Sequence, residues 1–146
     1  MKANGSSQLD APRDRLYQCL SDPRQLEQLL PSVESVAQIG DDVLAVRVAP
    51  HTALGATPLD LELTILDQRT PEHVRLDGTG NGGEFVASFQ VELDFAENGS
   101  GTEVSWQAEA SFNGLLSSIG QRILPAILGS QVDAVLRAAA DAARAG

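Results

Sequence analysis

Cysteine and histidine are scarce in the 146-residue sequence, which contains one cysteine and two histidines. Cys19 cannot form a disulfide within the chain, and its position in a predicted helix indicates a buried, inert thiol. The Cys and His residues do not have the spacing of a metal site, and the sequence has no G-x-S-x-G motif and no nucleotide-binding loop. We therefore expect neither a metal ion nor a cofactor.

Long apolar segments and net positive charge are missing as well. No apolar run approaches the ~20 residues that span a bilayer, and residues 1–10 lack the apolar region of a signal peptide. The net charge of −10 and the pI of 4.4 disfavour nucleic acid and anionic membrane surfaces, because both would repel an acidic protein. We expect a cytoplasmic protein with one domain over residues 1–146 and no integral membrane segment, and the oligomeric state stays open.

The longest regular pattern in the chain is an apolar stripe between Asn113 and Arg144. Its apolar residues recur three or four places apart, which is the spacing of an amphipathic helix. Pro125 lies within the stripe and predicts a bend or break, because proline lacks the N–H that an interior turn needs. A helix of this length, roughly 45 Å, requires a partner surface to cover its stripe.

Alternating apolar and polar residues supply that partner surface. After a weak first strand over residues 1–10, short helices are predicted to begin at Pro12, with Asp10 as a capping residue, and at Pro23, with Pro31 as its stop. About six alternating segments follow, of which residues 59–65 are the clearest half-buried antiparallel strand. The order predicts an α+β fold, in which a curved antiparallel sheet of about seven strands wraps around the C-terminal helix.

A sheet wrapped around a helix leaves a cavity, and the inward faces of the predicted elements carry no titratable side chain. This absence favours binding of a hydrophobic small molecule over acid–base chemistry. His51 lies in a predicted loop and His73 at the start of a predicted strand, and either could lie at the edge of the cavity. Both are expected to be solvated surface residues, with His51 as a possible polar anchor. The predicted cavity residues are Leu44, Val46, Leu61, Leu63, Val74, Leu76, Phe85, Phe89, Val91, Trp106, Phe112, Leu116, Ile119 and Ile123.

Two blocks of residues carry a family resemblance. The first is Leu20-Ser-Asp-Pro-Arg-Gln-Leu-Glu-Gln-Leu-Leu-Pro, followed by Val33-Glu-Ser-Val and Gly40-Asp-Asp. The second comprises Gly101-Thr-Glu-Val and Gly114-Leu-Leu-Ser-Ser-Ile-Gly-Gln-Arg-Ile-Leu. Together they resemble the CoxG family, which is named for a subunit of carbon monoxide dehydrogenase and belongs to the START-like (SRPBCC) helix-grip superfamily.

The resemblance implies a helix-grip fold with a hydrophobic cavity between the sheet and the last helix. It also implies an accessory role beside a molybdenum-containing carbon monoxide dehydrogenase. Arg122 matches the arginine of the family's Gly-Gln-Arg block, which implies a second possible polar anchor at the cavity.

Three functions remain open at this point. The first is a non-enzymatic accessory protein that binds a lipid- or quinone-like molecule, and the lack of a reactive inward group favours it. The second is a cyclase-, dehydratase- or hydrolase-like enzyme of the same superfamily, using His51, His73 or Glu84 at the cavity mouth. The third is an interaction module whose core is filled, which an internal void would argue against.

Overall fold

The computed structural model describes residues 2–30, 33–48, 51–52, 55–56, 59–81, 85–114 and 117–145. Within these ranges, the side chains of residues 51–59, 67, 85, 112–128 and 145 lie outside the description. The helices are α1 (Arg13–Ser21), α2 (Pro23–Leu26) and α3 (Ser117–Ala145). The strands are β1 (Lys2–Leu9), β2 (Val33–Gly40), β3 (Val43–Val48), β4 (His51–Thr52), β5 (Gly55–Ala56), β6 (Leu59–Arg69), β7 (His73–Asn81), β8 (Phe85–Asn98) and β9 (Gly101–Gly114).

Seven of these strands form one antiparallel sheet in the order β1-β9-β8-β7-β6-β3-β2. Each of β6 to β9 pairs with the next along the chain, and β1 adds to the free side of β9. The predicted α+β architecture with about seven strands is confirmed. The segment predicted as a loop between Pro50 and Pro58 contains the short hairpin of β4 and β5 instead.

Period-two alternation divides the sheet into two faces. The inner face, which packs against α1 and α3, includes Leu44, Leu63, Val74, Val91 and Trp106, all in one buried cluster with Leu136 and Ala139 of α3. The outer face carries the alternate residues, such as Glu62, Gln90 and Glu109, which are exposed. Across the middle of the sheet, the register aligns Leu63, Gly78, Phe89 and Ala110 in a single inner row.

Helix α1 buries the residues that the sequence indicated, Leu16, Tyr17, Cys19 and Leu20. The Tyr17 hydroxyl donates to the His73 carbonyl oxygen at 3.0 Å, so this helix is fastened to the start of β7. The N-cap of α1 is Pro12 and makes no side-chain cap hydrogen bond, so the prediction that Asp10 caps this helix is wrong. The Asp10 carboxylate instead lies 4.0 Å from the Arg144 guanidinium at the end of α3.

Helix α2 is shorter than the sequence predicted. Asp22 caps it by accepting a hydrogen bond from the Arg24 N–H at 3.0 Å, and Pro23 occupies the first turn. The regular helix ends at Leu26, because the next backbone bonds run over three residues, including Leu29 N–H to the Leu26 carbonyl at 2.9 Å. This tightened turn keeps Leu29 in the buried cluster.

Helix α3 continues without a break through Pro125, so the break considered for this position is wrong. A proline removes one backbone hydrogen bond, and the bonds of the neighbouring turns are enough to maintain the helix. Its second half is fixed to the inner face: a Cβ atom placed on Gly129 would lie 3.9 Å from Trp106 Cη2. Near its end, the Arg15 guanidinium donates to the Ala143 carbonyl at 3.2 Å.

The two faces predict opposite outcomes for adjacent charge substitutions on β6. Leu63 is only 6% exposed, so Leu63→Asp should lower the free energy of unfolding by several kcal/mol, because its charge would be buried without a partner. Glu62 is exposed, and Glu62→Lys should change that free energy by within about 0.5 kcal/mol. Urea unfolding of both variants tests the register, and equal losses would show that it is displaced by one residue.

Cys19 should react slowly with alkylating agents in the folded protein. It is buried as predicted, and burial raises the pKa of its thiol, so the reactive thiolate is depleted at neutral pH. We expect slow labelling by iodoacetamide in buffer and much faster labelling in urea, followed by mass spectrometry. Equal rates in the two conditions would contradict the buried position.

Candidate functional site

Two glycines in β7 leave space on the inner face that large side chains of the neighbouring strands occupy. A Cβ atom on Gly78 would lie 2.1 Å from Cζ of Phe89, the residue paired with it on β8. A Cβ atom on Gly80 would likewise lie 2.7 Å from Cδ2 of Leu61 on β6. Both large side chains therefore lean onto β7 and occupy the space that the glycines leave open.

On the three middle strands of the sheet, three apolar side chains of the inner face remain partly accessible, and we call Leu61, Leu76 and Phe89 the central patch. They belong to β6, β7 and β8, which are the middle strands of the sheet. The other described residues of the predicted cavity are each exposed by 7% or less. These buried residues are Leu44, Val46, Leu63, Val74, Val91 and Trp106.

The structure thus brings nine of the predicted cavity residues onto one face, as the three of the central patch and the six buried ones around it. Leu116 lies outside the described residues, as do the side chains of the other predicted positions, so their roles stay predictions. Those other positions are Phe85, Phe112, Ile119, Ile123 and the possible anchors His51 and Arg122.

The inner face offers no acid–base group beside the central patch among its described side chains. The inward positions of β3 and β6 to β9 that the structure describes carry aliphatic, aromatic, alanine and glycine residues, except at the paired ends of β8 and β9. There, Glu97 lies 2.9 Å from Arg13, and the Thr102 hydroxyl donates to the Ala11 carbonyl at 2.8 Å. The described residues also contain no group of three or more His, Cys, Asp and Glu side chains able to hold a metal ion. This surface is apolar, and its described part supplies no proton donor or acceptor beside the central patch.

His73 differs from the sequence prediction. It is 6% exposed, not solvated, and its Nδ1 lies 2.7 Å from Asp94 Oδ1, while its Nε2 lies 3.7 Å from Glu92 Oε1. It is out of phase with Val74, so its side chain lies away from the inner face. The histidine and its carboxylates meet because β7 and β8 pair at His73 and Asp94, a register that sequence alternation alone does not specify.

A depression of about 370 Å³ lies on the outer face of the sheet. Its lining is mostly polar, unlike the predicted cavity. Two of its acidic residues are paired: Asp77 accepts from Arg75 Nε at 2.7 Å, and Lys2 lies 3.5 Å from Glu109. Its polar residues alternate with the inward ones and so lie on the side of the sheet opposite the central patch, while Gly78, Phe89 and Ala110 of the inner row complete the lining between them. The lining residues are Glu62, Thr64, Asp77, Gly78, Thr79, Ser88, Phe89, Gln90, Glu109, Ala110 and Ser111.

The sheet order, the long C-terminal helix and the apolar inner face define a START-like helix-grip fold. The chain belongs to the CoxG family, named for a subunit of carbon monoxide dehydrogenase, and the model of this family matches residues 5–143. Comparison with curated proteins gives no significant match. Within the part of the chain that the structure describes, no helix combines the length and apolarity needed to cross a membrane.

Solved structures with the same fold have little sequence identity to this chain. A conserved protein from Geobacillus kaustophilus has a TM-score of 0.88 at 21% identity, covering 99% of this chain and 95% of its own. A START superfamily protein from Mycobacterium smegmatis has a TM-score of 0.67 at 8% identity, covering 98% and 97%. The di-domain ARO/CYC StfQ from the steffimycin biosynthetic pathway has a TM-score of 0.63 at 13% identity, covering 98% of this chain and 50% of its own.

Family membership and fold together support a ligand-binding accessory role in general terms. The family name also associates such proteins with carbon monoxide dehydrogenase. At these identities the solved neighbours establish the fold and no shared activity.

Removal of the carboxylate beside His73 should destabilise the fold. Asp94→Ala would leave the buried Nδ1 without its 2.7 Å partner, and we expect a loss of about 1 to 2 kcal/mol in the free energy of unfolding. Glu103→Ala removes an exposed outer-face carboxylate from the neighbouring strand and is the matched control. Urea unfolding measures both, and indistinguishable losses would show that the Asp94 contact contributes nothing specific.

Proposed function

We propose that the inner face binds a hydrophobic, lipid- or quinone-like small molecule and that the protein is a non-enzymatic accessory protein. One observation carries this proposal: Leu61, Leu76 and Phe89 keep accessible apolar surface in the middle of the sheet. In a filled core, the middle strands would be the most completely buried. Burial of apolar surface by a ligand is favourable by about 25 cal/mol per Å².

The buried residues around the central patch support this proposal over a pure interaction module. The central patch is flanked on both sides by buried apolar residues, which are Leu44, Val46 and Leu63 on one side and Val91 and Trp106 on the other. A module with a filled core would show the same burial at the centre as at these flanks. The contrast within one face is the feature that a binding cavity requires.

The enzymatic alternative lacks a group in the right place among the described residues. Catalysis at the inner face needs a titratable side chain within hydrogen-bonding reach of a bound molecule. His73, one of the three residues considered for that role, is buried against Asp94 and is directed away from the inner face. The side chains of His51 and Glu84 are outside the description. The described part of the inner face carries no titratable group beside the central patch, and this favours the non-enzymatic function.

The proposal extends to the partner, the location and the domain organisation. Membership of the CoxG family supports a molybdenum-containing carbon monoxide dehydrogenase as the protein served by this accessory. The net charge of −10 favours a partner surface with positive charge. We place the protein in the cytoplasm, with residues 1–146 acting as one domain.

Native mass spectrometry of the freshly purified protein tests the proposal directly. We expect an adduct of a few hundred daltons that is lost on denaturation and that solvent extraction identifies as apolar. A protein that carries no adduct and, after delipidation, binds no apolar fluorescent probe would contradict the proposal.

A pair of leucine substitutions on opposite faces should separate ligand binding from general surface effects. Leu76→Gln places an amide in the central patch, and we expect about tenfold weaker binding of N-phenylnaphthylamine, corresponding to about 1.4 kcal/mol. Leu66→Gln is the matched control, because Leu66 is 39% exposed and lies on the outer phase of β6. Fluorescence titration of the delipidated variants measures both, and equal weakening would place the probe elsewhere.

A further inference from the structure

We infer that Gly78 is a specificity-determining residue of the inner face, because its missing Cβ keeps the Phe89 ring low on the sheet. The inference rests on the proposed function, since it concerns which molecules the same face admits. According to this inference, Gly78 determines how deep the space above the central patch is.

The distances around Gly78 show that the ring depends on the glycine. A Cβ atom there would lie 2.1 Å from Phe89 Cζ and 2.5 Å from both Cε atoms. Real Cβ contacts do not occur at such distances, so the tip of the ring occupies the space that any other residue would fill. Neighbouring strands are about 4.8 Å apart, which lets a phenyl ring that leans sideways reach over the next strand.

The position of the ring decides how much space remains above the sheet. A layer that packs on a sheet lies about 10 Å from it, so a phenyl ring that stands upright fills roughly half of that depth. With the ring on β7, Phe89 forms part of the floor and presents its accessible side to a ligand. With an alanine at Gly78, the ring would have to rise, and Phe89 would become an obstacle in the middle of the face.

Gly80 repeats the arrangement with a different expected consequence. A Cβ atom on Gly80 would lie 2.7 Å from Leu61 Cδ2, the end of a flexible side chain. Leucine can move this methyl group by a change of rotamer, whereas a phenyl ring moves only as a rigid unit. The depth of the face should therefore respond strongly to Gly78 and weakly to Gly80.

The ligands selected by this device are apolar molecules that are wide as well as long. A raised Phe89 ring would exclude a molecule with fused or linked rings more strongly than a single acyl chain, which can pass beside the ring. Two probes represent these shapes: N-phenylnaphthylamine, which has two ring systems, and cis-parinaric acid, which is one slender chain.

Probe titration of delipidated full-length variants tests the inference. We expect Gly78→Ala to bind N-phenylnaphthylamine about tenfold more weakly than the wild type, with a change of at most about threefold for cis-parinaric acid. Gly78→Ala combined with Phe89→Ala should bind the wide probe as tightly as Phe89→Ala alone does, because no ring is left to rise. Gly40→Ala is the control, since a Cβ there would meet Val43 at an ordinary 3.4 Å.

The outcomes separate the inference from the proposed function. If the wild type binds neither probe, the proposed function fails and the inference fails with it. Two results would overturn the inference alone, provided that the wild type binds the probes. The first is that Gly78→Ala weakens the binding of both probes equally. The second is that Gly78→Ala weakens the binding of the wide probe by the same factor when Phe89 has already been replaced by alanine. If Gly78→Ala does not fold, Phe89→Leu decides: a preference shifted at least threefold towards the wide probe supports the inference, and an unchanged preference overturns it.

Discussion

Trp106 joins three elements of the fold, because its ring lies between a strand at the edge of the sheet and the last helix. A Cβ atom on Gly5 of β1 would lie 2.9 Å from the indole, and one on Gly129 of α3 would lie 3.9 Å from it. The indole therefore lies over β1 while supporting a turn of α3. With Leu136 and Ala139 fully buried beyond this point, the second half of α3 is fixed to the inner face.

The same pairing of a large side chain with a glycine on the next strand gives two different results on one face. Trp106 leans over Gly5, and α3 descends onto it, so the core there is filled. Phe89 leans over Gly78 and Leu61 over Gly80, yet both remain partly accessible. The apolar surface of the sheet is continuous, and its division into a filled part and an accessible part depends on where the helix makes contact.

Much of this architecture could be predicted from the sequence, because alternation is a local signal. The polar and apolar positions of residues 59–65 assign Leu63 to the core and Glu62 to solvent without knowledge of any partner strand. The extent of α2 and the environment of His73 could not be predicted in this way. The extent of α2 depends on a tightened turn that buries Leu29. The environment of His73 depends on the register between β7 and β8, which pairs His73 with Asp94.

The candidate site was predictable in its chemistry and not in its shape. Alternation alone placed Leu61, Leu76 and Phe89 inside, but whether an inward residue is fully packed depends on distances across the layer, which periodicity does not encode.

The shape of the inner face has a consequence for the route by which a molecule reaches it. The strands β6 to β9 are paired along their lengths, and opening them would break many backbone hydrogen bonds at once. A molecule that reaches the central patch must therefore enter beside α3 or at the ends of the strands, and it cannot pass through the sheet from the polar depression on the other face.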